Sequence, residues 1–193
     1  MKTKTNPKTK PSIDTTIETE PIATRVALHP FLAGMNRTQL ALLTDSAMAA
    51  HFTTGQTILC EGEFANRCYL IETGKVVLES VGCFGEPLLI ETIGAGDLLG
   101  WSWMFPPYTW HFTARAIEPT TAIFFFGTIL REYCEKDHSL GYELLKRISA
   151  VMVKRLHAAH KQIVSVCSRG TSLEPLIVES RFPEREQDLS EYD

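Results

Sequence analysis

Phe52-Thr-Thr-Gly55-Gln-Thr-Ile58-Leu-Cys-Glu61-Gly62-Glu-Phe-Ala65-Asn-Arg-Cys-Tyr69-Leu-Ile71-Glu-Thr-Gly74-Lys-Val76 consists of short apolar runs punctuated by glycine. The runs are too brief for helices and suit short strands joined by turns. The same rhythm holds from His51 to Phe126, with further glycines at 82, 85, 94, 96 and 100. Between them lie Thr57-Ile58-Leu59, Cys68-Tyr69-Leu70-Ile71, Lys75-Val76-Val77-Leu78, Leu88-Leu89-Ile90 and Ala122-Ile123-Phe124-Phe125-Phe126. Many short strands divided by turn residues predict an all-β sandwich or barrel. Glycine takes positive φ without a Cβ penalty, so these positions mark the corners of a small barrel.

On the N-terminal side, Asn36 and Thr38 stand as capping residues before Leu40, Leu42, Leu43 and Met48, which predicts a short helix. On the C-terminal side come Ile129, Leu130 and Tyr133, then a longer pattern from Leu140 to Cys167. There Leu145, Ile148, Met152, Leu156, Ala159, Ile163 and Val166 recur at three and four residues, the stripe of one helix of about 26 residues, roughly 39 Å long. A stripe stepping by about 3.5 is a coiled-coil seam, so residues 140–167 are expected to pair two copies of the chain. The alternative is a helix folded back on its own barrel.

The full division predicted is a disordered tail over 1–25, a sensor barrel with an N-terminal helix over 26–139, the dimer helix over 140–167, and an acidic flexible tail over 168–193. The first tail is Thr, Lys and Pro with little apolar surface to offset ordering entropy. The last carries Glu174, Glu179, Glu184, Glu186, Asp188, Glu191 and Asp193, with Leu173, Leu176, Ile177 and Val178 as a segment for docking.

A length of 193 residues fits one domain with tails, and 44% hydrophobic against 22% charged residues is the balance of a globule with a core. The net charge of -4 excludes a chain whose whole surface is a basic nucleic-acid footprint, while leaving room for a local patch. No run of about 18 apolar residues occurs and the N-terminus lacks a signal-peptide core, so a cytoplasmic location without membrane contact is expected. The five cysteines (Cys60, Cys68, Cys83, Cys134, Cys167) include no C-x-x-C, which predicts reduced buried thiols and neither a disulfide framework nor a zinc ribbon.

The Phe52–Val76 stretch resembles the cyclic-nucleotide-binding domain of the Crp/Fnr regulators and of kinase regulatory subunits, because many positions agree in one frame. The likeness continues through Ile93-Gly94-Ala95-Gly96-Asp97-Leu98-Leu99-Gly100 and the helix after Gly127, covering about residues 28–167. It implies a mainly β fold with flanking helices, a β-roll (jelly-roll) barrel ending in a long C-terminal helix. Function in that family rests on a cassette in which a Gly-Glu opens a short helix and an Arg follows about ten residues later. The Arg pairs with the cyclic phosphate, helix-end amides cradle it, and the Glu accepts from the ribose hydroxyl.

Here the corresponding stretch is Gly100-Trp101-Ser102-Trp103-Met104-Phe105-Pro106-Pro107-Tyr108-Thr109-Trp110-His111-Phe112-Thr113-Ala114-Arg115-Ala116. Aligning Gly100 and Ala116 with the family's landmarks puts Trp101 at the Glu position and Trp110 at the Arg position. Losing the phosphate's cation in a half-buried pocket costs about 2 to 5 kcal/mol and an indole adds bulk where the nucleotide would lie, which together weaken ordinary cAMP binding by at least ~10²-fold. Arg115 is the other candidate cation, and strand alternation and the alignment place it at a different position, nearer the barrel exterior.

Two readings of the aromatic cluster stand. The indoles wall a pocket for a planar or apolar ligand, with Gly100, Trp101, Ser102, Trp103, Trp110, His111 and Thr113 as its contacts. Alternatively the aromatics fill the old pocket and lock the barrel. No cofactor is assigned: a haem would need His111 or a barrel cysteine as axial ligand, and an Fnr-type cluster would need cysteines before Cys60. His51 and His111 do not make the ligand set of a cupin-type enzyme, and His157 and His160 sit on a basic helix face without a carboxylate.

The residues after Cys167 number about 26 and are polar and acidic, so a DNA-binding helix-turn-helix of about 70 residues is not expected there. The sequence thus points to a non-enzymatic, stand-alone sensor or regulatory domain. It would act allosterically through a ligand or a partner protein, as a homodimer, without direct DNA binding. A ligand-free dimeric adaptor is the first alternative, and a genuine cyclic-nucleotide binder is the second.

Overall fold

The computed structural model describes residues 20–81 and 86–167. Helix α1 (Ile22–Leu28) and a 3-10 turn (Pro30–Leu32) lead into α2 (Arg37–Asp45), and eight strands follow. These are β1 (Met48–Phe52), β2 (Thr57–Leu59), β3 (Arg67–Thr73), β4 (Lys75–Val81), β5 (Pro87–Gly94), β6 (Leu98–Leu99), β7 (Thr113–Ala116) and β8 (Thr120–Phe126). Helices α3 (Gly127–Lys136) and α4 (His138–Cys167) end the described chain. The expected tail boundary at residue 25 is corrected: α1 begins at Ile22, because Arg25 and Val26 bury against the barrel. Met48, expected on the first helix, belongs to β1, where it pairs with Phe124.

The strands form two antiparallel four-stranded sheets, β1-β8-β3-β6 and β2-β7-β4-β5. Alternation along the first sheet divides its side chains between two cores. Tyr69, Ile71, Leu99 and Ala122 face Ile58, Val76, Leu78, Ile93, Ala114 and Ala116 of the second sheet, forming the barrel interior. Cys68, Leu70, Leu98, Ile123 and Phe125 face outward and are covered by Val26, Leu43, Leu130, Leu140, Leu144 and Ile148 from the helices. Each such side chain, fully buried, contributes about 1.5–3 kcal/mol.

Local chemistry fixes the ends of these elements. Asn36 accepts from the Gln39 N–H at 2.9 Å while Gln39 Oε1 accepts from the Asn36 N–H at 3.1 Å, a capping box that starts α2. Gly74 makes the β3–β4 corner at φ +84°, where a Cβ would lie 2.4 Å from the Pro119 carbonyl oxygen.

The chain divides into two compact units at Met152. Within the first, α4 lays Leu140, Leu144 and Ile148 into the helix-side core, with Met152 packed against it. This corrects Ile148 as a seam residue: at 1% exposure it is committed to its own barrel. In the second unit, Leu156 is 67% and Ile163 45% exposed. The expectations for residues 1–19 and 168–193 lie outside the described residues.

Candidate functional site

The segment between β6 and β7 is where the family resemblance places chemistry. It leaves β6 through Gly100 (φ +81°), makes a 3-10 turn at Ser102–Met104, passes a cis Pro106–Pro107 bond and turns at Tyr108 (φ 57°) before β7. Backbone hydrogen bonds tie it down on both sides. The Ala65 N–H donates to the Tyr108 carbonyl at 2.6 Å, Trp110 N–H to the Glu63 carbonyl at 2.9 Å, and Gly62 N–H to the Trp110 carbonyl at 2.9 Å. From α3, Arg131 donates to the Trp103 carbonyl at 2.5 Å and stacks its guanidinium 4.5 Å from the Tyr108 ring centroid.

The seven residues expected to line one pocket do not line one. Trp110 is 4% exposed and belongs to the barrel interior, its ring edge 3.0 Å from where a Cβ on Gly100 would stand. Trp103 is 1% exposed and belongs to the other core, among Leu130, Leu144 and Ile148. Trp101 is half-buried on that same helix side, edge-on to Phe105 and His111, and His111 itself is exposed. Ser102 is buried, and the half-buried Thr113 hydroxyl accepts from the Glu61 N–H at 3.1 Å.

The physical cause is packing. Gly127 starts α3 so close that a Cβ there would lie 2.5 Å from the Trp103 Cβ, which draws Trp103 under the helices. Its indole N–H is buried without a hydrogen-bond acceptor among the described residues, and it lies beside the Cys68 thiol, which burial pushes well above the usual thiol range. An apolar cavity of about 20 Å³ borders Trp103, Cys68, Leu144 and Ile148, space for about one water. Cys60, Cys68 and Cys134 are free thiols, and burial raises Cys134 to about 11.

The charges fall elsewhere. Arg115 lies on the outside of β7, away from the buried Ala114 and Ala116, and pairs with Glu79 of β4. Arg25 forms a two-pronged pair with Glu72 whose side chains are 6% and 8% exposed. Beside it His29 accepts from the Phe31 N–H at 3.2 Å through Nδ1, which assigns the proton to Nε2, 3.0 Å from the Ile71 carbonyl. Burial lowers the His29 pKa despite that carbonyl and the opposing pull of Glu72 and Asp97. These groups line a cleft of about 290 Å³ together with Leu28 and Gly96. Sequence reasoning passed over Arg25, His29 and Arg67; alternation along β3 places Arg67 on the face of Tyr69 and Ile71, and that signal was available. Among the described residues no group of three or more His, Cys, Asp or Glu is placed to hold a metal. No described helix is long and apolar enough to cross a membrane.

Two antiparallel sheets closed around an apolar interior, with helices on one outer face and a short segment between β6 and β7, define a β-roll domain. Residues 49–137 match the model of the cyclic nucleotide-binding domain family. A CRP-like cAMP-activated global transcriptional regulator of Mycobacterium tuberculosis is 25% identical over 133 residues, 69% of this chain. The match spans 58% of that regulator's length. Among solved structures, a cyclic nucleotide-binding protein from Geobacter metallireducens is 27% identical, covering 70% of this chain and 98% of that one at a TM-score of 0.63. A cyclic nucleotide-binding domain from Methylobacillus flagellatus shares the fold at TM-score 0.67 and 19% identity, covering 84% and 89%.

Proposed function

We propose that this domain is a regulatory module that does not read a cyclic nucleotide, because Trp110 already occupies the barrel interior. The carrying observation is the Trp110 ring at 4% exposure, packed edge-on to Gly100 where the resemblance implies the phosphate cation. Neither charged partner of a nucleotide is in the cassette: Trp101 turns to the helix side and Arg115 is held outside the barrel by Glu79. Regulation then runs through another ligand or a partner protein, and the Trp103, Tyr108 and Arg131 contacts link the cassette to α3. Titration calorimetry with cAMP and cGMP checks this. No saturable heat is expected below about 1 mM, and micromolar affinity overturns the reading.

Pairing of two copies through α4 belongs to the same proposal, now with the exposed Leu156, Ala159 and Ile163 as its seam. Their exposure and their three- and four-residue spacing support it. Light scattering at micromolar concentration is expected to give the mass of a dimer; a monomer mass removes this part.

A further inference from the structure

Arg67 places a cation on a face that is otherwise apolar. Alternation along β3 gives Arg67, Tyr69 and Ile71 one face, and Tyr69 and Ile71 lie in the barrel core. The partner of Arg67 across the ladder is Phe126 on β8. Phe126 ends a run of rings: Phe52 to Tyr69 at 5.4 Å, Tyr69 to Phe124 at 5.4 Å, and Phe124 to Phe126 at 4.6 Å between centroids. Tyr69 is 4% and Phe126 43% exposed, so from Tyr69 the run leads outward to the surface at Phe126, the ladder partner of Arg67.

The half-buried Arg67 has polar neighbours. Its Nε donates to Asn66 Oδ1 at 3.0 Å, and it lies against the Tyr69 hydroxyl, which burial holds protonated and therefore able to donate. Among the described residues no carboxylate lies within ion-pair distance of it. A guanidinium keeps two further nitrogens in a planar fork that matches a carboxylate, and removing such a charge from water without a partner is unfavourable.

We propose that this end of the barrel binds an amphipathic monoanion, its carboxylate on Arg67 and the Tyr69 hydroxyl and its apolar tail along Phe124 and Phe126. The proposal rests on the reading that Trp110, and not a nucleotide, fills the deeper barrel. A single cation and one hydroxyl suit a monoanionic carboxylate better than a phosphate dianion, and the rings supply no further donors.

The test titrates the full chain with phenylbutyrate, with the uncharged phenylbutanol, with inorganic phosphate and with cAMP. Phenylbutyrate is expected to saturate below about 1 mM and at least about tenfold more tightly than the alcohol or phosphate. Arg67→Gln is expected to bring the acid down to the alcohol's affinity, and Arg67→Lys to retain part of the difference. Should Arg67→Gln fail to fold, Tyr69→Phe carries the test, with an expected loss of several-fold for the acid alone. Equal binding of acid and alcohol, an unchanged affinity in Arg67→Gln, or no saturation up to about 10 mM overturns the proposal. Micromolar cAMP binding that survives Arg67→Gln sinks the reading of Trp110 and leaves the carboxylate result to stand or fall by itself.

Discussion

Trp103 and Trp110 are seven residues apart, are 1% and 4% exposed, and serve different cores on opposite sides of one sheet. One is held under the helices by the close approach of Gly127; the other closes the barrel against Gly100. Density of aromatics along a chain therefore does not make a pocket. The backbone between the two reverses at Tyr108, and each ring goes where a glycine has left room.

Trp103→Ala is the substitution expected to cost most, about 3–5 kcal/mol, because it empties the middle of a helix-side core that already holds a small cavity. Urea unfolding should show a lower midpoint with little change in slope. Trp110→Ala is expected to cost about 3 kcal/mol and to differ in kind. It leaves its hole in the barrel, and added indole should raise the melting temperature of this variant; no rise would mean that the barrel closes over the space. Gly127→Ala follows at about 1–3 kcal/mol, since its Cβ would lie 2.5 Å from that of Trp103; Trp103→Phe in the same chain keeps the Cβ and should not relieve it.

The barrel was legible in the sequence because its signals are local. Glycines at the corners and the runs Thr57–Leu59, Cys68–Ile71, Lys75–Leu78 and Ala122–Phe126 fall within strands of the structure. The strand β7 and the two-residue β6 were not recognised, since Thr113–Ala116 has no apolar run and owes its pairing to β4 and β2. At the site, the lack of any Asp, Glu, Lys or Arg from Trp101 to Phe112 is plain from the sequence, whereas the separation of Trp103 from Trp110 was not legible, because it depends on Gly127 and α3. Along α4 the stripe was real, but only part of it is buried: Ile148 lies in the helix-side core and Leu156 is exposed. Periodicity reports that a face is apolar and leaves open what covers it, so Ile148 and Leu156 looked alike.

A smaller effect comes from His29, which contrasts with the exposed His111. Its folded pKa is lowered from 6.5, so the unfolded chain binds more protons below that value. The His29 contribution is therefore complete above about pH 6.5 and declines as pH falls toward the folded pKa, by at most about 1.4 kcal/mol per pH unit. Protonated Nδ1 can no longer accept from the Phe31 N–H. Urea midpoints between pH 5 and 7.5 should fall on acidification, and His29→Gln should be less stable yet flatter over that range. An unchanged slope in His29→Gln would place the dependence elsewhere.

The smallest effect on folding is expected where the helix stripe leaves its own core. Leu156→Glu replaces a 67% exposed side chain and should shift stability by less than about 0.5 kcal/mol, whereas Ile148→Glu would put a charge into the helix-side core and unfold the domain. The two positions look alike by sequence and differ in burial, so the pair tests whether the exposed part of the stripe joins two chains as proposed. Light scattering should show Leu156→Glu as a folded monomer beside a dimeric parent. A parent that is itself monomeric, or a Leu156→Glu protein of unchanged mass, means that the exposed stripe does not pair two chains.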